Sequence, residues 1–349
     1  MHTKESYATT KIAKEDTSDS REKITKTKEG RLLEKIDDDC LLINQIKGDF
    51  NKKRTNESSE NVTTKPEHHE VEDDEEEESW RKQSEYYKNI DSKSFRQYEL
   101  ACDRVKQFYE EQHEKQTVAY NIQARINFKT KVRAKMSVWE GLEKLNRLLD
   151  ESDPDTELSQ IDHALQTAQA IRKDNKPRWF QLVGLIHDLG KLLYFFDSRG
   201  QWDVVGDTFP VGCKFLKKII FSESFKKNPD ILNPLYNTKY GIYSKHCGLD
   251  KVMLSWGHDE YMYHVAKNSS TLPAEALAMI RYHSFYPWHH EGAYSYLMND
   301  HDKEMFEAVR AFNVYDLYSK IDEKYDVEEL KEYYKDLIDE YFPSKIIDF

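Results

Sequence analysis

The sequence predicts an all-α domain of short helices and long polar loops, preceded by a disordered N-terminal tail. Three observations predict it. Apolar residues from about position 98 onward recur at three- and four-residue spacing, the period of one helix face. Alternating strand patterns are scarce. Composition also shifts near Trp80: the chain before it is dominated by Lys, Glu, Asp, Thr and Ser, and the chain after it is rich in Tyr, Phe and Leu. The boundary implied is a charged tail over 1–85 and one ordered unit over 86–349, with no internal repeat.

The tail contains the run EDDEEEE at 72–78, which repels itself and has nothing to bury. Its one apolar cluster, Leu32, Leu33 and Ile36 followed by 40–46, predicts a transient amphipathic helix. In the ordered unit, Tyr98, Cys102, Val105, Phe108 and Tyr109 form a first helical stripe. Met136, Trp139, Leu142, Leu145 and Leu149 form a second, and Ile161, Ala164, Leu165, Ala168 and Ile171 a third. Residues 179–190 are almost entirely apolar and predict a short central helix. Loops are marked by Asp153-Pro154-Asp155, Gly206-Asp207, Asn233-Pro234 and Gly248.

The formal charge of −12 argues against broad nucleic-acid binding by charge. Cys40, Cys102, Cys213 and Cys247 include no C-x-x-C pair, the pattern of reduced thiols in a reducing compartment. No apolar run is long enough to span a bilayer, and the N-terminus lacks the apolar region of a signal peptide. A cytoplasmic, monomeric protein is expected.

Within the central helix the stretch GLIHDLGK at 184–191 places an imidazole, a carboxylate and an ammonium in apolar surroundings. Buried ionic groups require partners or a metal. Partners can be sought elsewhere in the chain. His163 in IDHALQTAQAIR, His258 in LSWGHDEYMY and His283 in MIRYHSFYPW also lie in apolar or aromatic helical context, as does Asp316 in AFNVYDLYSK. One such histidine is more often a core residue than a ligand. Four, with Asp188 among them, point to metal, since neutral imidazole binds transition metals and a carboxylate can bridge two ions. Lys191 stands four residues after His187 and three after Asp188, and Lys320 stands four after Asp316, so each pair shares a helix face. His68, His69, His113, His289, His290 and His301 are flanked by charge or polar loop and are expected outside any site. The pair at 301–302 in NDHDKE reads as solvated surface. Glu110-x-x-His113 imitates half of a carboxylate-bridged di-iron motif, but no second copy accompanies it. His246 beside Cys247 lacks the further cysteines of a zinc site.

The order His163, His187-Asp188, Asp316 resembles the H…HD…D signature of the HD-domain superfamily. The blocks "HALQTAQAIRK", "WFQLVGLIHDLGKLL", "QWDVVGDTFPVGC", "HCGLDKVMLSWGHDEYMY", "MIRYHSFYPWH" and "FNVYDLYSK" closely resemble the inositol oxygenase family over about 92–349. The resemblance implies an HD-domain-like helical bundle and a non-haem di-iron enzyme. Such an enzyme cleaves the ring of myo-inositol with dioxygen to give D-glucuronate. It implies His163, His187 and Asp316 as ligands of one iron, His258 and His283 as ligands of the other, and Asp188 as the bridge. It implies a mixed-valent Fe(II)/Fe(III) pair in the active form, with O2 as co-substrate. The substrate contacts it implies are Arg96, Asp150, Glu151, Ser152, Lys191, Gly206, Asp207, His283, Ser284 and Lys320, with Lys191 also favouring the deprotonated hydroxyl. Myo-inositol is then the partner, with neither nucleic acid nor membrane.

Two other readings stand beside it. An HD-type phosphohydrolase acting on a nucleotide or phosphoester would share His163, His187, Asp188 and Asp316, and would need a cationic cradle for phosphate that the sequence does not obviously supply. A scaffold protein would retain the domain only as a folded body, and its ligand positions would be free to decay, whereas here all are filled.

Overall fold

Ser137-Val-Trp-Glu140 is a capping box, and the chain uses it as one. Ser137 Oγ accepts from the Glu140 N–H at 3.2 Å while Glu140 Oε2 accepts from the Ser137 N–H at 2.7 Å. It opens one of the helices of a computed structural model that describes residues 103–152, 159–318 and 325–349. The tail, Tyr98, Cys102, Arg96, Asp153-Pro154-Asp155 and Lys320 lie outside the described residues.

The described helices are α1 (Asp103–Lys115), α2 (Val118–Thr130), α3 (Val138–Leu145), α4 (Gln160–Lys173), α5 (Arg178–Ile186), α6 (His258–Ser269), α7 (Ala274–Tyr282), α8 (Tyr286–His289), α9 (Asp300–Tyr318) and α10 (Val327–Tyr341). The fold is all-α. The strands among these residues are two-residue segments, β1 (Lys135–Met136) and β2 (Ile347–Asp348), paired antiparallel with Lys135 opposite Asp348.

The helical stripes bury as their spacing requires. Val105, Phe108 and Tyr109 of α1, Trp139, Leu142 and Leu145 of α3, and Ile161, Ala164, Leu165, Ala168 and Ile171 of α4 all enter one core. Leu149 does not: α3 stops at Leu145, and Leu149 is 60% exposed. The third stripe continues across a tight turn. Asn175 takes a left-handed φ of 52°, Pro177 follows, and α5 returns to pack on α4. At that crossing a Cβ on Gly184 would lie 2.9 Å from the Ala168 backbone, so only glycine permits the approach.

The central apolar helix is shorter than its composition predicts. The α conformation ends at Ile186, and a 3₁₀ helix runs over Leu189–Phe195. A break of this kind in the middle of a helical stretch often marks a functional site. It turns the chain so that the backbone of Gly190 lies against the start of α6, where a Cβ would sit 2.0 Å from the carbonyl oxygen of His258. Around this junction α6 packs on α7, and α7 packs on both α9 and α5.

The long polar loops are less polar than expected. Between α5 and α6 the chain makes only 3₁₀ turns and a single bridge of Pro210 with Leu254, yet Phe209, Val211, Leu249 and Leu254 bury with Tyr282, Phe285 and Trp288 in a second core. Burial of aromatic and aliphatic side chains, not strand or helix formation, holds these loops in place.

Candidate metal centre

The junction between α5 and the 3₁₀ helix brings five elements to one point. His163 comes from near the start of α4, His187 from the cap position ending α5, His258 from the first turn of α6, His283 from the cap position ending α7 and Asp316 from α9. Asp188 stands between them. All six are buried.

Asp188 turns one oxygen to each side. Its Oδ1 lies 3.4 Å from His258 Nε2 and 3.6 Å from His283 Nε2. Its Oδ2 lies 3.5 Å from His187 Nε2 and 3.8 Å from His163 Nε2. Asp316 Oδ1 completes the second set, 3.2 Å from His163 Nε2 and 3.4 Å from His187 Nε2. The first set is closed by His258 Nε2 and His283 Nε2, 3.2 Å apart. Donors about 2.1 Å from an ion and at right angles to one another lie about 3 Å apart. These separations fit two adjacent ions sharing one carboxylate.

Three of the rings are fixed from behind. His187 Nδ1 pairs with the carbonyl oxygen of Gly184, His283 Nδ1 with that of Ile280 and His258 Nδ1 with that of Val204, each at 2.9 Å. A carbonyl can only accept, so Nδ1 carries the proton and Nε2 keeps its lone pair for the centre. The first two use carbonyls at helix C-termini that lack intrahelical partners, which is why these histidines stand where α5 and α7 end. His187 Nε2 is wholly buried and forms no well-aligned hydrogen bond with its carboxylate neighbours. A buried acceptor left in this way is costly unless it binds an ion.

The electrostatics agree. Burial works against ionising Asp188, but Lys191 and then His187 outweigh it and hold the carboxyl well below its usual range. Burial likewise opposes ionising Asp316, and the adjacent His163 and His187 rings outweigh it and hold the carboxyl well below its usual range. His283 is pushed up to about 9, because Asp259, Asp188 and Asp316 outweigh the burial that disfavours its charge. The cluster draws in positive charge, which protons or cations can supply.

On one side the centre meets a group of buried polar side chains. Lys191 Nζ is 2.9 Å from Asp188 Oδ2 and 2.8 Å from Asp150 Oδ2, with Gln160 Oε1 at 3.5 Å. The contact between Asp188 and Lys191 arises from the tight i, i+3 geometry of the 3₁₀ turn, not from a continued α-helix. Asp150 Oδ1 accepts from the Ser152 N–H at 2.8 Å and from its hydroxyl at 2.6 Å. Glu151 is exposed at this rim, its N–H donating to Gln201 Oε1. Ser284 Oγ lies 3.2 Å from His258 Nε2. Gly206 has φ 87°, a left-handed turn that glycine adopts without strain. It delivers Asp207, whose Oδ1 accepts from the Tyr109 hydroxyl at 3.1 Å.

Several buried polar groups escaped the sequence reading. Asp259 is 1% exposed, and its Oδ2 accepts from the Thr208 hydroxyl at 3.0 Å and the Ser284 N–H at 3.3 Å. Its signal in the sequence is the dipeptide His258-Asp259, set in apolar and aromatic context. His113 and His289, expected among polar loops, are buried. His113 stacks on Phe225 and pairs with Ser224 Oγ at 2.6 Å, and His289 Nε2 pairs with the His283 carbonyl at 2.8 Å. The NDHDKE pair divides: His301 is exposed, whereas Asp302 is buried and accepts from the N–H groups of Leu249 and Asn299. Charged neighbours in sequence did not report the opposite face of a helix.

The sequence profile of the family described as Myo-inositol oxygenase matches residues 102–349. The chain is 52% identical over 265 residues to the "Probable inositol oxygenase" of Oryza sativa subsp. japonica, covering 74% of this chain and 86% of that protein. It is 51% identical over 267 residues to "Inositol oxygenase 1" of Arabidopsis thaliana, covering 74% and 86%. It is 48% identical over 259 residues to the "Inositol oxygenase" of Danio rerio, covering 73% and 93%. With a centre of four imidazoles and two carboxylates at its core and this likeness along most of its length, the chain belongs to the myo-inositol oxygenase family.

Proposed function

We propose that the protein is a di-iron oxygenase that cleaves the ring of myo-inositol with O2, giving D-glucuronate and water. The single observation that carries the reading is the two-sided Asp188, with a histidine pair facing each of its oxygens. In this reading His163, His187 and Asp316 hold one iron, His258 and His283 the other, and Asp188 bridges them. An iron pair, mixed-valent in the active form, would supply Lewis acidity and a site for dioxygen reduction, the electrons coming from the polyol itself.

The chain's own groups then bind and orient the polyol. Lys191 acts as a charged donor, not as a base. Burial disfavours its charge, but Asp150 and Asp188 outweigh burial and raise its pKa well above the ordinary lysine value. An ammonium fixed between two carboxylates donates to a substrate oxygen and favours the deprotonated hydroxyl. Asp150 Oδ2 and the Ser152 hydroxyl offer further polar contacts beside it, and Asp207 and Ser284 line the approach from the 206–208 turn and the end of α7. Arg96, Glu151, Gly206 and Lys320 complete the proposed contact set. The proposed catalytic unit is 86–349, with 1–85 a charged tail.

A phosphohydrolase is less well supported. The charge of Lys191 is offset by Asp150 and Asp188, which disfavours a phosphate dianion but leaves an N–H for a neutral polyol oxygen. We also read the protein as a cytoplasmic monomer. The free thiols of Cys213 and Cys247 fit a reducing compartment, and among the described residues no helix is long and apolar enough to cross a membrane.

The test is anaerobic reconstitution with iron, followed by O2 uptake with myo-inositol and, in parallel, phosphate release from nucleotides. Inositol-dependent uptake that is lost in His258→Ala is the expected result. Phosphate release without uptake would overturn the reading.

A further inference from the structure

Asp259 follows a proposed iron ligand directly, yet its carboxylate is engaged elsewhere. Its Oδ2 accepts from the Thr208 hydroxyl at 3.0 Å and the Ser284 N–H at 3.3 Å. The Thr208 N–H in turn donates to the Ser284 carbonyl at 2.9 Å. Three segments far apart in sequence are thereby tied in one knot: the start of α6, the turn containing Gly206 and Asp207, and the end of α7. Two of them carry proposed substrate contacts.

The other oxygen is spare. Oδ1 is fully buried and makes no well-aligned hydrogen bond, although it lies 2.9 Å from His258 Nε2. That places it in the space where His258, His283, Ser284 Oγ and Asp188 Oδ1 converge. With the ring proton of His258 on Nδ1, donated to the Val204 carbonyl, and Nε2 turned to the proposed ion, Oδ1 is left without a donor from this neighbour, which is costly for a buried carboxylate oxygen. A hydroxyl-bearing ligand on the His258 and His283 side would relieve that cost, and a polyol supplies such hydroxyls.

We propose that Asp259 is a specificity-determining and positioning residue of this site. Through Oδ2 it sets Ser284 and the 206–208 turn against the helix carrying His258, and through Oδ1 it accepts a hydrogen bond from a hydroxyl of the bound polyol. The inference rests on the proposed inositol oxygenase reading. It differs from a structural role because it predicts a defect in substrate binding that leaves iron in place. It differs from a ligand role because the iron content does not depend on it.

The experiment compares wild type, Asp259→Asn, Asp259→Ala and Thr208→Val after reconstitution with iron. Bound iron per chain, thermal unfolding, the electron paramagnetic resonance spectrum of the half-reduced centre across a myo-inositol titration, and KM and kcat for O2 uptake are measured. Both Asp259 variants are expected to keep wild-type iron content. Their KM and the inositol concentration that half-changes the spectrum should rise about tenfold or more, the loss expected when a hydroxyl partner is removed. Thr208→Val, which frees one donor from Oδ2 and leaves Oδ1 untouched, should raise both by a smaller factor. Iron loss in folded Asp259→Ala would make the residue a ligand and overturn the proposal. Unchanged KM and titration in Asp259→Asn would do the same. If the Asp259 variants do not fold, a Thr208→Val protein with wild-type KM overturns it alone. A wild-type chain that binds iron but shows no spectral response to inositol would instead sink the functional reading beneath it.

Discussion

His187 shows how much one side chain is asked to do. Its ring is wholly buried, with Nδ1 on the Gly184 carbonyl and Nε2 facing Asp188 and Asp316. Replacing it by Ala leaves two buried carboxylates with one neutral donor fewer between them, and iron bound per reconstituted chain should fall by one or more. Elemental analysis measures this, with His290→Ala, an exposed site, as the control that keeps its iron. At this scale the sequence was informative where an ionisable residue stood in an apolar run, as His187, His258 and His283 do. It was silent where meaning depended on distant partners. Asp259 meets Thr208 and Ser284, which are 51 and 25 residues away, and no local pattern announces such a contact. His113 was misread because Glu110, Glu111 and Glu114 surround it in sequence while its ring lies on the inner face of α1.

At the scale of elements, the position of the centre depends on where helices stop. Helical periodicity revealed α3, α4 and α5, but the switch to 3₁₀ geometry after Ile186 left no mark in an apolar stretch whose residues all suit either helix. Gly190 is the one residue that hints at it, since its backbone meets the His258 carbonyl. Gly190→Ala should destabilise the fold by about 1–3 kcal/mol, the usual cost of overpacking, and lower iron retention together with it. Chemical unfolding and metal analysis on the same sample check this. Ser137→Ala is the contrasting change: loss of the capping box of α3 should cost about 1 kcal/mol and leave iron content at the wild-type level.

Across the molecule, two buried ionic features set the stability. Glu260 accepts from Arg281 Nε at 2.9 Å and lies 3.3 Å from Arg125 Nη2, joining α2, α6 and α7. Glu260→Gln leaves Arg125 without this anion and Arg281 with only the exposed Asp250, 2.6 Å from its Nη1, and should cost about 3–5 kcal/mol, read as a lowered unfolding midpoint. His113 sets an acid limit. Burial holds its pKa down at about 3, against 6.5 as the ordinary value, so between those values the unfolded chain binds a proton that the folded chain refuses. Stability from this group is full above pH 6.5 and is lost as pH falls toward 3, by on the order of 5 kcal/mol at most. The slope of unfolding free energy against pH in that window should flatten in His113→Asn. The class of fold was legible in the sequence because helices follow from local spacing. The packed loops between α5 and α6 were not, because their order comes from Phe209, Val211 and Leu254 meeting residues far along the chain. One further consequence follows from the way the imidazoles are fastened. Three of them are anchored on main-chain oxygens, which every amino acid carries. No replacement of the side chains at positions 184, 204 or 280 can remove the anchoring atom itself, so long as the backbone keeps its course. Positions 204 and 280 can therefore change side chain while the rings go on pointing inward, whereas position 184 is held to glycine by its packing on α4.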